Sequence, residues 1–246
     1  MARTFNGGSS RVTIDDTTSI RIAAPMSVSM WWRATTAVSS FEYILSKLLM
    51  AGDHSSYAFG FNSNTRPRFI IGYGYVSNEF ISTPDQLDSH GVLDGGWHLW
   101  TGTYDGTDIQ LWIDGIQHSI ASSSHTIAYD AFPLTLGSFD GTQLYTPGEQ
   151  AELCLWSAAL TPSEITQLSK GISPELVRPD KLVHHWQMEG TVDPGYDVDL
   201  RKGVRANVIT SAGRVAHPPI RRPVQPVYFD LLTPTVISNS GFMAFF

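Results

Sequence analysis

The chain has 246 residues and a formal net charge of −7, from 16 Lys and Arg against 23 Asp and Glu. This negative net charge disfavours non-specific binding to nucleic acid, because phosphate contacts require clustered Lys and Arg. Only 16% of the residues are charged, and 21 Gly and 14 Pro are present. Such a composition favours strands separated by turns over helices. We therefore expect an all-β protein.

Alternation of apolar and polar residues is the main strand signal along the chain. Its clearest early example, over residues 26–32, predicts a half-buried strand. Asp105-Gly106 and Asp114-Gly115 have the chemistry of tight hairpin turns and predict a three-stranded meander around them. The predicted strands are 26–32, 57–61, 68–73, 97–104, 108–113, 116–120, 134–136, 151–156 and 182–188.

One short helix is predicted after the strand at 151–156. Thr161 can cap it, Pro162 suits its first position, and Glu164 stands three residues after the cap, which is the spacing of a capping box. Gly171 is a natural stop. Since no helix alternates with the strands, a parallel βαβ architecture is not expected.

Residues 217–246 differ in character from the rest of the chain. Five of the 14 prolines fall here, which excludes regular sheet or helix. The segment is nevertheless too apolar for solvated disorder. We predict an extended arm that lies either on its own domain or on a neighbouring chain.

The ends of the chain and its single cysteine bear on where the protein is made. Cys154 is the only cysteine, so no intramolecular disulfide can form, and its apolar neighbours predict a buried, inert thiol. The N-terminus lacks the apolar core of a signal peptide, and no stretch approaches the ~20 apolar residues of a membrane span. We expect synthesis in the cytoplasm and no membrane span.

Several motifs together resemble a known family. GGWHLWTGTYDG at 95–106 and LWIDG at 111–115 resemble the laminin-G-like, concanavalin-A-like lectin/glucanase jelly-roll family. FNG at 5–7, LTLGS at 134–138 and ELCLW at 152–156 occur in that family's order. Where family members usually have Asp-Glu before this last strand, the chain has Ala151-Glu152, which weakens the case for a family-type polar or calcium role there.

The resemblance implies a two-sheet antiparallel jelly-roll β-sandwich over residues 1–216, with one short helix, followed by the extended C-terminal arm at 217–246. It also implies calcium as a candidate cofactor, because such domains often hold it through Asp side chains and carbonyl oxygens. Asp53 and residues 193–199 are candidate ligands. The alternative for residues 193–199 is a solvated acidic loop, and the sequence assigns no metal.

Catalysis is not expected from the acidic residues or the histidines. A glycosidase needs two carboxylates at a fixed separation, and the glucanase-like pattern Glu-x-Asp-x-x-Glu is absent from the chain. His184-His185 lack a zinc-binding motif, and adjacent strand residues point to opposite faces. Structural histidines and a non-enzymatic protein are predicted, with glycoside hydrolysis as a remote alternative.

Glycan binding would require exposed aromatic rings that stack on sugar faces. The candidates are Tyr73, Tyr75 and Trp112, each of which could instead be a packing residue.

Two functions are predicted. The first is a virion structural protein of the bacteriophage capsid-decoration type, located in the virion, which docks through its arm on the capsid or on sister subunits as a homo-oligomer. The alternative is an extracellular or cell-surface carbohydrate-binding or adhesion module. The candidate partner-binding residues of the arm are Arg221, Arg222, Tyr228, Phe229, Phe242, Phe245 and Phe246.

Overall fold

A computed structural model describes residues 1–48, 55–63, 65–74, 80–82, 91–189, 195–209 and 213–222. Within these ranges two antiparallel sheets of eight strands each form a β-sandwich. The all-β, two-sheet fold with one α-helix is therefore confirmed.

The first sheet has a path of seven strands and one branch. The path runs β10 (Ile116–Ser122), β9 (Asp108–Ile113), β8 (His98–Tyr104), β3 (Met26–Arg33), β12 (Pro147–Trp156), β1 (Ala2–Asn6) and β16 (Gly213–Val215). The branch is β13 (Leu182–Trp186), which pairs with the C-terminal half of β12.

The second sheet is a single path. Its order is β14 (Tyr196–Val198), β15 (Arg205–Ile209), β2 (Arg11–Ile14), β11 (Leu134–Leu136), β4 (Tyr43–Leu48), β5 (Ser55–Phe61), β6 (Pro67–Gly72) and β7 (Phe80–Ser82). The predicted strands all occur, whereas β1, β2, β4, β7 and β14 to β16 were not predicted. Most of these are short and show no clear alternation.

The predicted meander is β8, β9 and β10, which pair in sequence order. Asp114 and Gly115 have φ values of 53° and 83°, as the hairpin turn between β9 and β10 requires. The Asp114 carboxylate also accepts a hydrogen bond from the Leu99 amide at 2.8 Å. This turn therefore anchors the start of β8 as well.

The core between the sheets is rich in aromatic rings. Trp100 of β8 lies 5.9 Å from Trp32 of β3, measured between ring centroids, and 5.8 and 5.6 Å from Phe59 and Phe61 of β5. The contacts are edge-to-face, the arrangement that the charge distribution of the rings favours. Strands from both sheets thus meet in one cluster.

The outer face of the first sheet is covered at β3, so the expectation of a half-buried strand at 26–32 is wrong. Trp31 packs there with Trp112, Ile165 and Leu168, the last two from helix α1 (Pro162–Ser169). Ser27 donates a hydrogen bond to the Ala158 carbonyl at 2.8 Å. The helix and its flanking segments exclude water from positions that the alternation assigned to solvent.

Helix α1 begins as the sequence predicts. The Thr161 hydroxyl accepts from the Glu164 amide, and the Glu164 carboxylate accepts from the Thr161 amide at 2.7 Å. This reciprocal pair is a complete capping box. None of the described helices has the length and apolarity needed to cross a lipid bilayer.

Candidate functional site

A shallow cleft opens where the meander meets the segment that follows β10. Its volume is about 260 Å³, below the roughly 300 Å³ at which pockets for drug-sized ligands begin. Its lining consists of small hydroxyl side chains and backbone: Thr107, Ser122, Ser123 and Ser124.

Hydrogen bonds around a single carboxylate fix the rim of the cleft. Asp105 Oδ1 accepts from the amides of Thr107 and Asp108 and from the Thr107 hydroxyl, each at 2.7 Å. Burial alone would raise the pKa of Asp105, but these donors lower it below its usual value. The Ser122 hydroxyl donates to Asp108 at 2.9 Å, and the Ser123 amide donates to the Thr107 carbonyl at 2.7 Å.

A stacked aromatic pair stands beside the cleft. The rings of Tyr73 and His125 are 3.7 Å apart and inclined by only 11°. His125 directly follows Ser124 of the cleft wall and is exposed, while Tyr73 is half-buried. The Ala128 amide donates to the Gly72 carbonyl at 3.0 Å, which ties this segment to the end of β6.

The three sequence-predicted glycan residues are placed differently. Tyr73 lies in the stacked pair, and Tyr75 lies outside the described residues. Trp112 is 7% exposed and packs under helix α1 with its indole N–H donating to Gln110. The Trp112 ring is therefore a packing element with no free face for a sugar.

The start of the arm lies on the protein's own sandwich. The Arg221 amide donates to the Gly171 carbonyl, and the Arg221 carbonyl accepts from Ser173 at 3.1 Å. Arg222 Nη2 is 2.8 Å from carboxylate oxygens of both Glu152 and Glu189. The other predicted arm residues lie outside the described part of the chain: Tyr228, Phe229, Phe242, Phe245 and Phe246.

The two adjacent histidines of β13 are buried and contact different carboxylates. His184 Nδ1 lies 2.9 Å from Asp199, whereas His185 Nε2 and Nδ1 lie 2.6 and 3.0 Å from Glu152 and Glu175. Burial opposes protonation of His185, but Cys154 and the two carboxylates raise its pKa well above the usual value. Both side chains therefore lie in the interior of the protein.

Acidic residues near the end of the sandwich are not solvated, contrary to the alternative weighed above. Asp197 pairs with the fully buried Arg3 at 3.1 Å, and Asp199 accepts from the amides of His185 and Lys202 at 2.6 Å each. Both carboxylates therefore accept hydrogen bonds from protein groups. Of the other calcium candidates, Asp53 and Asp193 lie outside the described residues.

Cys154 is fully buried, as predicted, and burial raises the pKa of its thiol to about 11. Its thiol is therefore protonated and unreactive at neutral pH.

Sequence reasoning missed the Ser122–Ser124 wall, His125 and the charged group around Glu152. The only local signal for the wall was its run of small polar residues, which is also what an ordinary loop contains. Glu152, Glu189 and Arg222 come from three distant segments, and no spacing rule connects them.

The family of the chain follows from its β-sandwich fold and from a match of its sequence to a family model. A family model for the concanavalin A-like lectin/glucanases superfamily matches residues 6–166, which includes the meander, both hairpin turns and the start of the helix. The chain belongs to this superfamily. No curated protein sequence matches it.

Solved structures share the lectin-like fold at low sequence identity. A Bacteroides ovatus protein to which carbohydrate binding is ascribed has a TM-score of 0.62 at 11% identity, over 91% of this chain and 61% of its own. The binding domain of botulinum neurotoxin DC, in complex with a ligand designated SialylT, has a TM-score of 0.50 at 14% identity, over 65% of this chain and 39% of its own.

Domain 4 of the extracellular arabinanase AbnA from Geobacillus stearothermophilus, in complex with arabinotriose, has a TM-score of 0.51 at 18% identity. That match covers 68% of this chain and 76% of the domain. The chain therefore spans less than two thirds of the first two structures and most of the third. At these identities the likeness establishes the fold alone.

Proposed function

We propose that this protein is a non-enzymatic carbohydrate-binding module of an extracellular or cell-surface protein. The observation that carries the proposal is the stacked pair of Tyr73 and His125 beside the hydroxyl-lined cleft. An aromatic platform can cover the apolar face of a sugar ring while neighbouring Ser and Thr groups hydrogen-bond its hydroxyls. The small volume of the cleft suits one sugar unit held at the surface.

The ligands of the structural neighbours support the same class of function. The ligand named for the AbnA domain is an oligosaccharide, and carbohydrate binding is ascribed to the Bacteroides ovatus protein. Fold likeness alone does not transfer a ligand, so the cleft and its aromatic pair carry the argument.

A serine, a histidine and an aspartate do line up elsewhere in the protein. His184 Nε2 lies 2.9 Å from the Ser19 hydroxyl, and Asp199 holds the opposite ring nitrogen. However, the His184 side chain is fully buried and stacks on Trp186 at 4.8 Å. In a serine triad the histidine also has to give its proton to the leaving group of the substrate, which the fully buried His184 ring cannot reach. We therefore assign this group to stability and not to catalysis.

Binding is tested by screening the full chain on a glycan array with and without calcium, then measuring the strongest ligand by calorimetry. Tyr73→Ala removes the platform and should weaken binding about fivefold, since aromatic contacts of this kind contribute on the order of 1 kcal/mol. Tyr196→Ala is the matched control, because Tyr196 is an exposed tyrosine on β14, at the other edge of the same sheet. A blank array, or equal losses in both variants, would refute the proposal.

The virion-assembly hypothesis is a second candidate that rests on the arm. Arg221 and Arg222 hold the start of the arm on the sandwich, and the 24 residues that follow include the predicted apolar anchors. Removal of residues 223–246 leaves those first contacts in place. If this shortened chain keeps its thermal stability but no longer forms oligomers or binds capsids, assembly is favoured. An unchanged oligomeric state and unchanged capsid binding would exclude a role of the arm in assembly.

A further inference from the structure

Three side chains that could bind a metal ion converge where the arm meets the sandwich. Glu152 comes from β12, at a bulge where its φ is 54°, Glu189 follows β13, and His217 follows β16. One ligand atom from each residue lies within 4.8 Å of the other two. We refer to these three residues as the Glu–Glu–His cluster.

The hydrogen bonding of His217 determines which ring nitrogen has a free lone pair. His217 Nδ1 is 2.7 Å from the Pro218 carbonyl oxygen, which can only accept, so Nδ1 carries the proton. In the neutral imidazole Nε2 then presents its lone pair inside the cluster. A metal-binding histidine is held in this way, with its other ring N–H donating to a carbonyl.

The contact between His217 and Glu152 has the distance but not the geometry of a hydrogen bond. His217 Nε2 lies 2.8 Å from Glu152 Oε1, yet this buried nitrogen has no hydrogen-bond partner. Two ligands of one metal direct their lone pairs at a common point to one side of the line that joins them.

The carboxylates of the cluster already hold cations. The Met1 ammonium nitrogen lies 3.2 Å from Oε1 of Glu189. Arg222 Nη2 lies 2.8 Å from Oε1 of both Glu152 and Glu189, between the two oxygens that would bind a metal. Because Arg222 is one-third exposed, it can turn outward to solvent when a metal ion takes its place.

We propose that Glu152, Glu189 and His217 bind a divalent transition metal of the zinc class, which displaces Arg222 and fastens the arm to the sandwich. One imidazole and two carboxylates suit zinc, cobalt or nickel, whereas calcium prefers six to eight oxygen ligands. With bonds of about 2.0–2.2 Å, tetrahedral zinc places its ligand atoms roughly 3.3 Å apart. The distances from His217 Nε2, 2.8 Å to Glu152 and 3.9 Å to Glu189, bracket that value.

The outer contacts of the cluster match those of a metal site. The second oxygen of Glu152 lies 2.6 Å from His185 Nε2, so the carboxylate is held with Oε1 facing the cluster. Three protein ligands leave a fourth position for water. Since His217 belongs to the arm and the two glutamates to the sandwich, a bound ion would join the two directly.

The test uses the untagged full chain after treatment with a chelator. Titration with Co²⁺ is followed by visible absorption, and titration with Zn²⁺ by calorimetry. We expect one equivalent to bind, with the absorption spectrum of four- or five-coordinate cobalt. His217→Ala should weaken binding more than about 100-fold, because even outer-shell partners of a metal contribute 10- to 100-fold.

Three further variants distinguish this site from adventitious binding. Glu189→Gln keeps the size of a partly exposed side chain and should weaken binding at least about tenfold; it serves if His217→Ala fails to fold. Arg222→Ala removes the cation that lies between the two carboxylates and should strengthen binding about two- to fivefold, the strength of a partly exposed ion pair. The control is His125→Ala, which removes an exposed histidine outside the cluster and should leave the metal affinity unchanged.

The proposal fails if neither the wild-type chain nor Arg222→Ala binds the metal stoichiometrically. It also fails if His217→Ala or Glu189→Gln retains wild-type affinity, or if Arg222→Ala binds more weakly. Glycan binding at Tyr73 does not enter these measurements, so the two proposals stand or fall separately.

Discussion

His185 and His125 differ in whether their neighbouring polar groups bond to the protein or face solvent. His185 is fully buried, and both of its ring nitrogens lie against carboxylates that hold it in place. His125 is exposed and stacks on Tyr73 next to hydroxyl groups that face solvent. Polar groups satisfied inside the protein stabilise the fold, whereas those open to solvent are available to a ligand. The difference separates structural from functional residues of the same chemical type.

The largest expected effect on stability comes from removing the buried histidine, His185. His185→Ala would remove the buried partner that Glu152 and Glu175 share, while Glu152 keeps Arg222 and Glu175 keeps Arg201. Removal of one member of a buried ion pair costs about 3–5 kcal/mol. Because the two arginines remain, we expect the free energy of unfolding to fall by about 3 kcal/mol in urea denaturation. His125→Ala, the exposed counterpart, should lower it by no more than about 1 kcal/mol, the strength of an aromatic stack. Equal losses in both variants would refute the distinction.

The same contrast is expected between two aromatic side chains, the buried Trp112 and the half-buried Tyr73. Trp112→Ala should lower the free energy of unfolding by about 3 kcal/mol, since Trp112 is 7% exposed and packs against Leu99 and Leu168 under the helix. Tyr73→Ala should lower it by no more than about 1 kcal/mol, the strength of its stack on His125, while it weakens glycan binding. Thermal and urea unfolding of both variants check this. A Tyr73→Ala protein that is as unstable as Trp112→Ala would make Tyr73 a packing residue.

A smaller, pH-dependent effect on stability is expected at His98, whose exposure lies between those of His185 and His125. Its hydrogen bond to Asp114 raises its pKa, burial opposes this, and Asp94 raises it further. A raised pKa in the folded state means that the stabilisation is complete below about pH 6.5 and is lost as the pH rises through the folded-state value.

This contribution should stay below about 1 kcal/mol, because Asp94 and Asp114 are 59% and 41% exposed. His98→Gln should therefore lose stability relative to the wild type at low pH, with the gap closing as the pH rises. Urea unfolding at a series of pH values measures the gap. A gap that is constant with pH, or that widens as the pH rises, would contradict this assignment.

Local features of the fold were predictable from the sequence because they depend on neighbours along the chain. The capping box of Thr161 and Glu164 and the turn at Asp114-Gly115 are set by backbone geometry over a few residues. Burial on both faces of β3 was not predictable, because the covering helix comes about 130 residues later. Alternation of apolar and polar residues predicts which face of a strand is polar, but not whether a distant segment covers that face.

The candidate sites also divide into features set by local sequence and features set by contacts between distant segments. The sequence by itself determined the superfamily, the strand and turn positions and the inert Cys154, since each depends on local pattern or composition. Only the tertiary structure decided that Tyr73 stands beside a cleft while Trp112 is covered. It alone brought Glu152, Glu189 and His217 together, because contacts between distant segments depend on how the two sheets and the arm pack and leave no periodic signal in the chain.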